Sequence, residues 1–560
     1  MALLYPNTYS VGMSSLGFQL VYEMLGRQDE LVCERFFLPE PSSSFRSVES
    51  SSPLSSFPIV FISISFEHDY LHLVQLLQLA NIPVFAEDRG DVISAENPLV
   101  VCGGVATAMN PEPLAPFVDL FIIGEAEPLL EKVATTIADR FKSEGRTSLL
   151  GSLCKQYCSC YAPRFYSPVY DEKGDFNGYT VEPGFRPRIT REYLETTTVA
   201  SHSVLSSPDI EFSDMHLTEL GRGCSRGCRF CAAGFIYRPP RLWDGDAIVE
   251  GIRQRHEGIG KVGLLGMEMA EMESLNMISD YLQESGCALS FSSLRADRLS
   301  EPLLNLLEVS NLKSVAIAPD GSSERLRSVI NKGLSEKDLL NGAIQLVEGE
   351  IYKLKLYLMI GLPSETDEDL LEGVRFIKKM KQTIDLIGKK RGRLTEIMVS
   401  VNCFAPKPWT PFQYHPFGMS DSLHPDEYGD AFKSVSELKR RQKLLKKGLM
   451  ATANVHIQFD KPDNVLFQAV LARGDRRLAQ VLEYMASSGK NWKAAMKEFD
   501  LRPEQFTHKG CDAGTPFPWE IIDHGINSSY LWKEYQRAFE ERLTPSCDTS
   551  VCRRCGVCND

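Results

Sequence analysis

Cys224, Cys228 and Cys231 stand at C-x3-C-x2-C spacing in a glycine-rich stretch that begins at Gly221. Thiolates this close in sequence can reach one metal centre from a single tight loop, and Gly223 and Gly227 let the backbone turn without Cβ clashes. The number of ligands is informative. A structural zinc normally takes four protein ligands, and the nearest other cysteines, Cys160 and Cys287, are distant in sequence. A 4Fe-4S cluster held by three cysteines keeps one iron open to a substrate or cofactor. A second set, Cys547, Cys552, Cys555 and Cys558, closes the chain at C-x4-C-x2-C-x2-C spacing. Four thiolates saturate a metal, which suits a structural zinc, a second iron-sulfur cluster or a zinc knuckle on RNA; the alternative is four free thiols in a frayed tail. The remaining eight of the fifteen cysteines have no ligand role. Cys154, Cys158 and Cys160 fall in a strand-like segment, and Cys33, Cys102, Cys287, Cys403 and Cys511 read as small buried apolar residues. Many thiols behind a first segment with no secretory pattern predict a reducing, cytoplasmic setting.

Such loops need a rigid frame. From His216 onward, strand-like runs near 217–221, 262–266, 288–293, 313–318, 354–360 and 395–403 alternate with helical stretches. This predicts a partial (β/α)6 barrel with its site at the C-terminal strand ends, where the first cysteine loop falls. Upstream, Ala2 to Tyr5, Pro58 to Ile64, Ile82 to Ala86, Pro98 to Cys102 and Asp119 to Ile123 read as strands. Met13 to Leu25, Asp69 to Leu79 and Ala126 to Arg140 read as helices, so this half is an open, Rossmann-like parallel sheet. Ser42 to Ser56 reads as an exposed serine-rich loop. After Ala405 to Pro416 helices dominate, at Asp426 to Lys447, Asn464 to Ala472, Leu478 to Ser488 and Ser529 to Leu543. The expected class is α/β. Its parts are a Rossmann-like domain over 1–145, a connecting segment over 146–212, the barrel over 213–420, a mainly helical domain over 421–545 and the four-cysteine tail over 546–560.

The first cysteine set, with Phe230 before its third member, resembles the radical S-adenosylmethionine (SAM) superfamily. The resemblance implies that Cys224, Cys228 and Cys231 ligate a 4Fe-4S cluster and that SAM chelates the open iron. Cleavage to a 5'-deoxyadenosyl radical would follow on an electron from a ferredoxin- or flavodoxin-type reductant. Gly266-Met-Glu268 matches the family's Gly-Gly-Glu, a contact to the amino group of SAM, at its first and last positions. Ser292, Ser293 and Arg295 end the third strand, where the family places polar contacts to ribose or carboxylate. Gly361, in Gly361-Leu-Pro363, stands where a turn approaches adenine, and Ala318-Pro-Asp-Gly321 through Lys332 resembles a segment of tRNA methylthiotransferases and cobalamin-dependent members.

Leu99 to Gly104, Asn110 to Pro113 and Asp119 to Glu125 resemble the loops of cobalamin-binding domains, with Gly103 and Gly104 allowing close approach of a corrin or phosphate. Tyr9 stands in place of the axial histidine of such domains, so cobalamin would bind here without a histidine ligand. The other reading is a domain that only shapes the substrate channel. The proline-aromatic run from Ser400 to Gln413 reads as a cavity wall or a linker.

With 560 residues and a net charge of -13, the chain holds several domains and repels nucleic acid as a whole. Basic runs at Lys378 to Lys381, Lys389 to Arg393 and Lys439 to Lys447 would attract RNA if they bordered the barrel mouth. No apolar stretch approaches the roughly 20 residues of a membrane span. Three functions stay open: a radical SAM enzyme that modifies an unactivated carbon, including a cobalamin-dependent methyltransferase; an RNA-modifying member of the superfamily; and a non-catalytic, zinc-stabilised scaffold.

Overall fold

The N-terminal strands are short apolar runs buried on both faces, the pattern of a parallel sheet covered by helices. The computed structural model describes residues 1–28, 31–41, 43–291 and 293–558. Strands β1 (Ala2–Tyr5), β2 (Glu34–Phe37), β3 (Ile59–Ser63), β4 (Leu99–Gly103), β5 (Leu120–Ile122) and β6 (Cys160–Tyr161) form one sheet in the order β2-β1-β3-β4-β5-β6. All pairs are parallel except β5 with β6. The order reverses between β1 and β3, the topological switch point at which such sheets open a crevice. Helices Leu16–Gly26, Asp69–Leu79 and Leu130–Arg140 accompany it.

Two expectations are corrected here. Ile82 to Ala86 is not a strand: Pro83 has no N–H for a ladder, only Ile82 is buried, and the chain enters a 3-10 turn at Ala86–Asp88. β2 was not anticipated, because Glu34 and Arg35 dilute its apolar signal and only Phe36 and Phe37 are buried. In the serine-rich stretch Ser42 lies outside the described residues; the rest is mostly exposed, with Ser47 and Leu54 turned inward.

Strands β7 (Tyr166–Tyr170) and β8 (Phe176–Val181) form an antiparallel hairpin, followed by β9 (Ile189–Thr190). The barrel starts at β10 (His216–Glu219). A short antiparallel pair, β11 (Gly221–Arg222) and β12 (Arg241–Leu242), brackets the cysteine loop. Then β13 (Lys261–Leu265) pairs parallel with β10, and β14 (Ala288–Phe291) pairs parallel with β13. Strands β15 (Ser314–Asp320), β16 (Lys353–Ile360), β17 (Glu396–Cys403) and β18 (Val455–Phe459) form a second parallel set. A parallel bridge from Leu294 to Ile317 joins the two sets into one curved wall.

The six expected barrel strands are present, and β18 adds a seventh inside the region read as helical. Its alternation, Val455, Ile457 and Phe459, has the strand period of two, but five residues between long helices give little to read. Beyond it lie helices Pro462–Arg473, Leu478–Ser488 and Ser528–Phe539, and β19 (Ile522–Asp523) pairs back to β9. The core of the first sheet runs without a break into Phe235, Leu326, Trp409, Phe412, Trp519 and Tyr535. The proline-aromatic run is thus packed core, with Trp409 Nε1 donating to the Met109 carbonyl at 3.2 Å. Among the described residues no helix is long and apolar enough to cross a membrane.

Candidate cluster and cofactor site

β10 delivers the chain to the C-terminal strand ends, and the β11–β12 pair fixes both stems of the loop that carries Cys224, Cys228 and Cys231. Gly223, at φ +84°, makes the first turn; a Cβ there would stand 2.6 Å from the Tyr237 carbonyl oxygen. Asn331 Nδ2 donates to the carbonyls of Arg226 and Gly227, both at 3.1 Å, and the Cys231 amide donates to the Cys228 carbonyl at 3.0 Å. The buried Arg229 guanidinium donates to the Val329 carbonyl at 2.8 Å and pairs with Glu534 at 3.2 Å, anchoring the loop from behind.

Burial pushes the Cys224 thiol up to about 11 and the Cys231 thiol up to about 12, and the neighbouring thiols raise both further. Burial also raises Cys228, against the pull of Lys332. Thiols so placed ionise only when a cationic group binds them. Lys332, paired with Asp320 at 2.6 Å, and Arg295, bonded to Asp297 at 2.9 Å and to the Lys332 carbonyl at 3.1 Å, are the nearby cations. Among the described residues no three His, Cys, Asp or Glu side chains are drawn together tightly enough to grip a single metal ion. Three mutually interacting thiols on one loop suit a larger, cationic inorganic group, so the donor chemistry fits the cluster.

Beside the loop opens a cavity of about 590 Å³ at the ends of β10, β13 and β14. Cys224, Gly266, Glu268, Ser293 and Arg295 all line it, so five residues singled out in sequence meet there. Glu268 accepts from the Ser225 amide at 2.9 Å and from Ser225 Oγ at 2.6 Å, which latches the β13 loop to the cysteine loop. Ser292 lies outside the described residues. Phe230 packs against the core shared with the first sheet. Gly361, at φ +80°, gives its amide to Glu365 at 2.7 Å, and a Cβ on it would meet Leu438 at 2.7 Å, so it faces helix Ala431–Leu449. Asp320 and Lys332 were part of the resembling segment but had no role; only their approach across the barrel mouth gives them one.

A second cavity, about 280 Å³, lies at the carboxyl edge of the first sheet. Leu3, Phe61 and Val101 make it an apolar slot, and Gly103 and Gly104 line its upper end. Gly104 is at φ +113°, and a Cβ there would be 2.3 Å from the Ile64 carbonyl oxygen, so this glycine serves contact between two strand ends. The junction with the barrel is closed by ion pairs. Glu125 meets Arg241 at 2.6 Å and Arg222 at 3.0 Å, and Arg222 also meets Glu127 at 2.7 Å and Glu219 at 3.0 Å. Burial opposes ionisation of Glu125, but the two arginines hold its carboxyl below the usual range. Tyr9 packs edge-on against Phe37 at 5.1 Å. A cavity of this volume is at the low end of small-ligand sites and admits a ring-sized fragment.

The remaining sequence features fall as follows. The tail cysteines fold back onto the first loop, the Cys547 amide donating to the Ser225 carbonyl at 2.6 Å. Cys33, Cys102, Cys154, Cys160, Cys287, Cys403 and Cys511 are buried, and half-buried Cys158 donates to Glu192 at 3.2 Å. Lys389 to Arg393 lie between helix Asp367–Lys390 and β17, at the strand ends opposite the cysteine loop, and Arg391 packs 4.5 Å over Tyr352. Lys439 pairs with Asp463 and Arg440 with Asp367 and Glu437. The run at 389–393 therefore does not border the mouth.

Comparison with known proteins agrees with this geometry. Residues 17–163 match the family described as radical SAM proteins, N-terminal, and residues 218–377 match the radical SAM superfamily. An uncharacterised protein of Methanocaldococcus jannaschii, MJ0966, is 27% identical over 491 residues, covering 86% of this chain and 90% of its own length. The ribosomal protein uS12 methylthiotransferase RimO of Clostridioides difficile is 22% identical over 251 residues, 40% of this chain and 55% of that protein. Among solved structures, the radical S-adenosylmethionine methyltransferase TsrM of Kitasatospora setae shares the fold at TM-score 0.50 and 11% identity, over 89% of this chain and 98% of its own. Sheet, barrel and cysteine loop thus fall where both family matches lie, and the chain belongs to the radical SAM superfamily of enzymes.

Proposed function

We propose that Cys224, Cys228 and Cys231 hold a 4Fe-4S cluster, that SAM occupies the cavity beside them, and that the enzyme modifies an unactivated carbon of its substrate. One observation carries this reading: Cys224, Gly266, Glu268, Ser293 and Arg295, from three strand ends, line the same 590 Å³ cavity. When bound, cluster and SAM supply a carbon radical on receipt of one electron from a ferredoxin- or flavodoxin-type donor. The chain's own residues bind and orient. Glu268, held by Ser225, would take the amino group of SAM; Ser293 and Arg295 would take its ribose and carboxylate. Lys332 and Arg295 offset the charge of the thiolates.

Anaerobic reconstitution with iron and sulfide, then dithionite and SAM, is expected to release 5'-deoxyadenosine; none from a fully loaded cluster would reject the reading. Glu268→Gln should weaken SAM binding at least tenfold, measured by equilibrium dialysis, with iron content unchanged. A cobalamin-dependent methyl transfer is the second reading, favoured by the cavity at the carboxyl edge of the first sheet. Gly103 and Gly104 line the sheet cavity that would take the corrin. The test of that reading is a binding titration: retention of cobalamin by the wild-type chain would support it, and no binding would reject it.

A further inference from the structure

We infer that Cys547, Cys552, Cys555 and Cys558 hold a second iron-sulfur cluster, seated on the outer side of the Cys224–Cys231 loop as the point where electrons enter. The site is built rather than frayed. The Cys555 carbonyl accepts from the Asn527 amide at 2.9 Å, and the Cys552 amide donates to the Asp548 carbonyl at 2.8 Å. Arg554 closes the tail on itself, donating to the carbonyls of Pro545 at 2.7 Å and Ser546 at 2.9 Å and to Cys552 Sγ at 3.2 Å. Arg238, 4.6 Å over the Phe235 ring and 5.5 Å from that of Tyr530, brings its guanidinium to the Cys555 thiol. Four thiols framed by two guanidiniums suit an inorganic group that leaves net negative charge, and C-x2-C-x2-C is the spacing with which ferredoxins hold one cluster.

Position assigns the role. The Cys547 amide donates to the carbonyl of Ser225, the residue next to Cys224, at 2.6 Å. Arg226 Nη1 donates to Ser546 Oγ at 3.2 Å, and the Thr544 amide donates at 2.8 Å to Asn331, which in turn holds Arg226 and Gly227. One hydrogen bond therefore separates the two cysteine sets. On the outer side Arg553 and Arg554 are exposed, and Val551 is 74% exposed. This basic, partly apolar tip on a chain of net charge -13 fits an acidic electron-donor protein. One electron leaves the reduced donor, which is oxidised, reduces the tail cluster and passes to the loop cluster; no bond or proton moves.

The relay rests on the loop reading, and the test separates the two. In anaerobically reconstituted full-length protein, two 4Fe-4S clusters give about eight irons per chain. Cys552→Ala/Cys555→Ala and Cys224→Ala/Cys228→Ala/Cys231→Ala should each lose about half the iron and sulfide. Zinc in the tail, or a tail variant that keeps all its iron, overturns the second cluster. A loop variant that keeps all its iron overturns the loop reading instead. Stopped-flow reduction of the loop cluster by a reduced ferredoxin should slow at least tenfold in the tail variant and severalfold in Arg553→Glu, which replaces no thiol ligand. Reduction by dithionite should be unchanged in Arg553→Glu. Equal ferredoxin rates in all three proteins would overturn the relay.

Discussion

The two principal cavities occupy equivalent places in the topology, each at the carboxyl ends of parallel strands, yet they differ in kind. The barrel cavity, about 590 Å³, is lined by polar side chains from three strand ends whose charges pair along the wall, Arg295 with Asp297 and Glu268 with the Ser225 amide and hydroxyl. The sheet cavity, about 280 Å³, is bordered by Arg222 and the carboxylates it pairs with, Glu125, Glu127 and Glu219, and Glu125 pairs with Arg241 behind them. Strand topology says where a ligand can bind. Which charges border that place is decided by where they find their partners.

The largest effect expected on this contrast is on the barrel side. Cys231→Ala should lower 5'-deoxyadenosine formation more than about a thousandfold while leaving the urea midpoint nearly unchanged, because a small thiol on a loop contributes little packing. Retained activity would mean that the open cavity is not the reactive one.

Next comes the charged border of the sheet cavity. Glu125→Ala leaves Arg222 and Arg241 facing each other at a buried site and should cost about 3–5 kcal/mol, read by urea unfolding. If that border alone limits larger ligands, the same variant should gain affinity for a corrinoid. A stable variant whose cavity admits nothing new would place the obstruction in the Gly124–Glu192 bridge instead.

The contrast also marks how far the sequence could be read. The six barrel strands, most of the first sheet and the five residues lining the barrel cavity follow from periodicity and from motifs written in consecutive residues. Such signals are local. The charged border is not, because Glu125, Arg222 and Arg241 meet only once two domains pack, and nothing in their own neighbourhoods distinguishes them from surface charges. The docking of Cys547 on Ser225 is a contact between residues more than half the chain apart and is invisible for the same reason. β2 and β18 escaped because each is short and half polar, so its pairing is decided by the strand beside it.

Acid should loosen both regions alike. His524 Nε2 donates to the Ala108 carbonyl at 2.8 Å near the sheet cavity, and burial lowers its pKa to about 3; His216 lies on β10, where burial lowers its pKa to about 4. Folded-state values below the ordinary histidine range mean that the unfolded chain binds more protons, so stability present above pH 6.5 is lost as pH falls. Between pH 6.5 and 4 each contributes a slope of at most about 1.4 kcal/mol per pH unit. His524→Gln and His216→Gln should therefore flatten urea midpoints measured from pH 7 to 5 by equal amounts. Unequal flattening would mean that the two regions unfold separately.

The smallest expected effect tests whether openness of the barrel cavity depends on its latch. Ser225 gives Glu268 both its amide and its hydroxyl, and only the hydroxyl is lost in Ser225→Ala. One hydrogen bond to a partly buried carboxylate is worth about 1–2 kcal/mol, so the melting temperature should fall by about 1–2 °C. The amide bond still orients Glu268, so SAM affinity should drop less than tenfold and less than in Glu268→Gln. A drop equal to that of Glu268→Gln would show that the hydroxyl sets the carboxylate's direction, and that the cavity is held open by one side chain rather than by the strand ends themselves.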